Sequence, residues 1–156
     1  VIKEGSRILV VEVESLVSHS FTPYPIRIGD SLRKDQLNTL ISILEQRANF
    51  SLYDKNVILK TTGGLKLSEQ SVNLAIMMSI VSSIKKKPID SLTVFIAEVG
   101  LTGELKRVPD IEKRLIELDR LGFKTAYIAK TNIDKSKIKN LQIIQCEDIN
   151  EVIRSI

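Results

Sequence analysis

The sequence predicts an α/β fold, and three observations carry that expectation. Lys34 to Ala48 places Leu37, Leu40, Ile41, Leu44 and Ala48 at helical spacing, which gives a helix one apolar face. Val11 and Val13 alternate with Glu12 and Glu14, the period of a half-buried strand. Thr93 to Val99 and Thr125 to Ala129 are short apolar runs of strand length that sit between helical segments.

Taken in order, Arg7 to Val17 reads as a strand, interrupted by Thr22-Pro23-Tyr24-Pro25 and followed by a short strand at Ile26 to Ile28, together an N-terminal β-ribbon. The first helix spans Lys34 to Ala48, and Val57 to Thr61 reads as the next strand, ending at Gly63-Gly64. Ser68 to Ile84 is a helix with an apolar middle (Leu74, Ala75, Ile76, Met77, Met78, Ile80, Val81), so it is expected to be central and buried. Lys85-Lys86-Lys87-Pro88 ends it with positive charge and a proline. Thr93 to Val99 reads as a core strand, Leu101-Thr102-Gly103-Glu104 as a hairpin turn, and Pro109 to Leu121 as an amphipathic helix capped by Gly122. Thr125 to Ala129 and Leu141 to Ile144 are short strands, and Glu147 to Ile153 is a closing helix.

No repeat or low-complexity linker divides residues 1–156, so one continuous fold is expected. Hydrophobic residues make up 43% and charged residues 27%, enough to bury a core while keeping a solvated surface. The chain starts at Val1 with Ile-Lys-Glu-Gly-Ser, as expected of a piece of a longer protein. One cysteine, Cys146, and one histidine, His19, exclude an internal disulfide and a multi-cysteine zinc site, and a reducing cytoplasmic setting is expected. No apolar run reaches the roughly 18 to 20 residues that span a bilayer, so no membrane partner is expected. The net charge of +4 suits an acidic polymer as partner. With 4% aromatic residues and no Trp, stacking on exposed bases is not the expected mode; phosphate contact is.

Two stretches carry a resemblance. Gly63-Gly64-Leu65-Lys66-Leu67-Ser68-Glu69 leads into the buried helix, and Glu98-Val99-Gly100-Leu101-Thr102-Gly103-Glu104-Leu105 leads into Arg114 and Leu121-Gly122-Phe123-Lys124. With Leu9-Val10-Val11-Glu12-Val13, Leu16-Val17, Thr22-Pro23, Arg27 and Leu44-Glu45-Gln46-Arg47-Ala48 in the same order, the chain resembles the C-terminal region of the bacterial RadA/Sms family over nearly its whole length. The resemblance implies a fold like the proteolytic domain of Lon, with mixed sheets, an N-terminal β-ribbon and packed helices. It also implies a parent protein with a RecA-type ATPase and a zinc finger, acting in homologous recombination, DNA-damage repair and branch migration as a DNA-dependent ATPase or helicase. The chain contains neither a Gly-x-x-x-x-Gly-Lys-Ser/Thr loop nor a Cys-x-x-Cys pair, so ATP, Mg and Zn belong to other parts of such a parent.

Lon-type peptidases pair a serine at the start of the buried helix with a lysine in the later helix. The resemblance puts the serine position at Ser71, where family members usually carry alanine, and the lysine position at Glu112. A serine hydroxyl needs a base, which a desolvated lysine can supply. A glutamate carboxylate is a weak base near neutral pH, and its charge opposes a developing oxyanion. Lys113 is rotated by roughly 100° from position 112, because a turn holds about 3.6 residues. No catalytic residue is therefore assigned, and Ser71 and Glu112 are read as a degenerate dyad, a first-turn helix residue and a solvated helix position.

DNA-binding candidates are Arg27, Lys34, Lys106 and Arg107; the resemblance also implies basic residues at Arg27, Lys106 and Arg107. Lys85 to Lys87 are divided between phosphate contact and complementing a helix end, and the Lys130 to Lys139 cluster reads as a solvated loop. His19 is assigned no role, Glu98 is read first as a satisfied structural carboxylate, with organising the following turn or a subunit contact as alternatives, and Cys146 is read as a packing residue. Three functions stay open: a DNA-binding domain that assembles into a ring, expected to be a hexamer and to meet a recombinase in the parent context; a Lon-type serine peptidase using Ser71; and a pure hexamer scaffold.

Overall fold

The computed structural model describes residues 1–156. The strands are β1 (Ile2–Glu4), β2 (Arg7–Leu9), β3 (Val13–His19), β4 (Arg27–Gly29), β5 (Lys55–Thr61), β6 (Thr93–Ile96), β7 (Glu98–Val99), β8 (Leu105–Lys106), β9 (Thr125–Ala129) and β10 (Gln142–Cys146). The helices are α1 (Lys34–Ala48), α2 (Asn73–Lys85), α3 (Ile111–Arg120) and α4 (Ile149–Arg154). They form a mixed α/β architecture with two antiparallel hairpins, β1–β2 and β7–β8, and two three-stranded sheets.

The first sheet has the order β3-β5-β4, with β3 antiparallel and β4 parallel to β5. This corrects the expected ribbon. The first segment splits at Val10 to Glu12 into β2 and β3, and β5 inserts between β3 and β4, so those two never pair. The alternation at Val13, Ser15 and Val17 survives because only one face of this sheet packs on the core; Glu14, Leu16 and Ser18 face outward.

The second sheet, β10-β9-β6, is wholly parallel. β6 and β9 are nearly continuous apolar runs because both faces of the sheet are covered there, while the edge strand β10 carries Gln142 and Gln145. Phe95, Ala97, Tyr127 and Ala129 point into the larger hydrophobic cluster, around α1, α2 and α4, while Val94, Ile96, Ala126 and Ile128 point into a smaller one under α3. The Phe95 and Tyr127 rings stack with centroids 5.1 Å apart, directly across the β6–β9 ladder.

α1 has the expected bounds, ending at Asn49 in the left-handed region with φ 57°, a conformation asparagine tolerates. α2 is shorter than expected. Its first residues form a separate 3-10 turn, Gln70–Val72, and the helix proper starts at Asn73. The expected strand Thr93 to Val99 breaks at Ala97 into β6 and β7, where the Ala97 carbonyl accepts the Leu74 amide and so fixes the start of α2 against the sheet. No helix is long and apolar enough to cross a membrane.

Candidate functional site

α3 buries Ile111, Leu115 and Leu118, and the same face carries Arg114. Positions i, i+3, i+4 and i+7 share one side of a helix, so Arg114 is carried inward with its apolar neighbours. It is 1% exposed, the largest fully buried side chain in the molecule. A buried guanidinium must be compensated, and this one is. Nε donates to the Pro109 carbonyl at 3.0 Å, and Nη1 donates to the Val1 carbonyl at 2.9 Å and to Ser71 Oγ at 3.3 Å. Nη2 donates to the Glu69 carboxylate.

The residue that meets Ser71 is thus Arg114, and not the residue at position 112. Ser71, 2% exposed, lies in the 3-10 turn ahead of α2 and donates its hydroxyl proton to the Val1 carbonyl at 3.2 Å. Glu112 sits on the exposed face of α3 and accepts the Asp134 amide at 3.1 Å, pinning a loop. Lys113 is exposed and turned to Asp110 at 4.0 Å. The dyad positions do not come together. The signal for Arg114 was present in the apolar spacing of α3, which puts position 114 on the buried face.

The only carboxylate in this cluster is Glu69. Burial pushes its pKa up, but the Lys3 amide at 2.8 Å, the Arg114 guanidinium and the nearby Ser71 hydroxyl outweigh that, and it lies below the ordinary glutamate value. A carboxylate held low is a weak base, and a guanidinium is a donor with no acceptor atom. What the cluster does is tie elements together: β1, the 3-10 turn and α3 all meet at Arg114.

The other predicted residues are dispersed. Arg27 is turned inward from β4, donating to the Leu52 carbonyl at 3.0 Å and standing 4.0 Å from Glu45, with its Nε buried and unpartnered. Its charge is largely spent inside the fold. Lys34 is exposed at the amino end of α1, where the helix dipole adds to its charge. Lys106 and Arg107 are exposed at the end of β8; Lys106 stands across the hairpin from Glu98 and 3.9 Å from Glu104. Arg107 makes no ion pair. An exposed arginine that sequence reasoning passed over, Arg47, joins this region: its Nε donates to the Leu101 carbonyl at 3.2 Å in the hairpin turn. That approach needs Gly103, whose φ is 86° and whose missing Cβ would come within 3.2 Å of Arg47.

Glu98 pairs with β8, and it is Glu104 that organises the turn by accepting the Thr102 hydroxyl. His19 ends β3 beside Asp54 at 3.5 Å. The Lys130 to Lys139 segment is an exposed loop held by Asp119, which accepts the amides of Lys139, Asn140 and Leu141, each at 2.9 Å. Cys146 is buried, and burial pushes its thiol up. No group of three or more His, Cys, Asp or Glu side chains is placed to hold a metal ion.

A family model described as subunit ChlI of Mg-chelatase matches residues 30–132. DNA repair protein RadA of Listeria monocytogenes is 38% identical over 152 residues, which is 97% of this chain and 33% of that relative. The RadA proteins of Bacillus subtilis and Escherichia coli are 37% and 31% identical over 153 residues, covering 97% and 98% of this chain and 33% of each relative. The chain therefore spans about a third of the length of these curated relatives. It belongs to the family of that model, and it is homologous to the C-terminal region of bacterial DNA repair protein RadA.

Proposed function

We propose that this chain is a DNA-contacting, self-assembling domain of a RadA-like repair protein, with a fold like the Lon proteolytic domain and no peptidase activity of its own. In the parent context, ATP-driven branch migration and any recombinase contact rest on that assembly, and ATP, Mg and Zn are bound by other domains. The observation that carries the reading is the partner of Ser71. Its hydroxyl is packed against a guanidinium with every nitrogen engaged and hydrogen-bonds to a carbonyl, and the carboxylate beside it, Glu69, is held below its ordinary value and so is a weak base for a serine proton. What remains available for chemistry with a partner is exposed charge: Lys34 on the α1 dipole, and Lys106 and Arg107 with Arg47 behind the hairpin.

The test is a salt titration of duplex binding by fluorescence anisotropy, with light scattering on the same sample. Affinity should fall steeply with salt, by a log–log slope of about −0.9 per phosphate contact. Lys106→Glu with Arg107→Glu should weaken binding at least about tenfold at unchanged circular dichroism, as loss of two phosphate contacts predicts. Assembly without salt-sensitive binding would leave the scaffold reading. Hydrolysis of unfolded casein that disappears in Ser71→Ala would establish the peptidase.

A further inference from the structure

β3 and β6 are both edge strands, and a groove of about 800 Å³ runs between them. One wall is Val10 to Leu16, the other is Ile89 to Ser91 with Thr93 to Phe95, and Ala75, Ser79 and Ser82 of α2 lie between them. Ser71, Glu69 and Arg114 do not line it.

The hydrogen-bond phase of β3 can be read directly. Thr62 donates its amide to the Glu12 carbonyl at 3.1 Å, so Glu12, Glu14, Leu16 and Ser18 address β5, and Val13, Ser15 and Val17 turn their N–H and C=O groups to the free edge. The Val17 amide there donates to Ser83 Oγ at 3.0 Å, which closes that end of the edge. The amides of Val13 and Ser15 have no such acceptor. An edge with unpaired main-chain groups beside an apolar groove is a template for one more strand.

The charge around the groove says what kind of strand. Glu12, Glu14 and Asp90 border it against a single cation, Lys60, which itself stands opposite Glu14, in a chain whose net charge is +4. Exposed apolar side chains, Val10 and Leu16 on the β3 side and Ile58 beside them, offer contact to alternate side chains of a partner. We infer that the β3 edge docks an extended peptide segment of a partner protein that alternates apolar residues with lysine or arginine.

The experiment uses the intact chain and four capped synthetic peptides: Lys-Val-Lys-Val-Lys-Val-Lys, the same sequence with Glu for Lys, and two forms of the Lys peptide N-methylated at alternate residues, one in each phase. The Lys peptide should bind and slow hydrogen exchange of the Val13 and Ser15 amides at least tenfold. The Glu peptide should not bind, and one N-methyl phase should abolish binding while the other is tolerated. Glu12→Lys with Glu14→Lys, both exposed positions, should weaken the Lys peptide at least tenfold with unchanged circular dichroism. Failure of the Lys peptide to bind, equal binding by both N-methylated forms, or protection elsewhere would overturn the inference. So would protection of Val13 and Ser15 that rises with protein concentration alone, which would assign the edge to a second copy of the chain.

Discussion

The two ends of α2 are both bordered by serines and are opposite in character. Ahead of the helix, Ser71 is sealed between the Val1 carbonyl and Arg114. Farther along it, Ser79 and Ser82 line an open groove, with Ser79 bonded to Ser15 at 2.6 Å and the next residue, Ser83, to the Val17 amide. The same side chain therefore serves two ends: a small hydroxyl lets a buried cation approach in one place and lets a helix approach a strand edge in the other. Burial decides which changes are costly.

The contrast can be broken most strongly at Arg114. Arg114→Ala removes a buried cation, leaves the Pro109 carbonyl without a donor and takes one donor each from Glu69, Ser71 Oγ and the Val1 carbonyl; a loss of about 3 to 5 kcal/mol is expected in urea denaturation. Arg114→Lys keeps the charge but not the fork, so it should recover only part of that loss. Ser71→Ala should cost about 1 kcal/mol, the usual worth of one hydrogen bond, and leave casein hydrolysis at background. Ser79→Ala, on the open side, should cost no more than this.

The pH dependence sharpens the same point. Because the folded state holds the Glu69 carboxyl below its ordinary value, the stability it contributes is fully present above the unfolded value of about 4.3 and is lost as pH falls through the lower native value. Glu69→Gln should flatten the acid limb of a stability profile below about pH 4 relative to wild type. The smallest effects are expected on the exposed side of α3. Lys113→Ala should stay within about 0.5 kcal/mol, since its Asp110 contact is at the surface.

Much of the architecture is legible in the residues. The spacing of Leu37, Leu40, Ile41 and Leu44 marks α1 to its ends, and the Thr125 to Ala129 run marks β9, because those elements bury a regular face against the core. Boundaries fail where a tertiary contact interrupts a local pattern. The apolar run through Ile96 and Ala97 continues in the sequence, yet the strand stops because the Ala97 carbonyl is taken by the Leu74 amide. The ribbon fails for a similar reason: nothing between Val17 and Ile26 announces that β5, some thirty residues later, will separate them.

The candidate residues divide in the same way. Exposure of Lys34, Lys106 and Arg107 follows from their placement at element ends. The inward turn of Arg27 does not, since it depends on Leu52 and Glu45 arriving from other elements.

The sequence by itself determined the alternation of strands and helices, the burial of α2 and the kinship with RadA, because periodicity and motif order are properties of the chain read in line. Only the tertiary structure decided that Ser71 meets Arg114 across 43 positions and that the edge of β3 stays open beside its groove. Those outcomes depend on how α3 and α2 dock, and docking is set by the shapes and charges of surfaces that no local stretch of sequence contains.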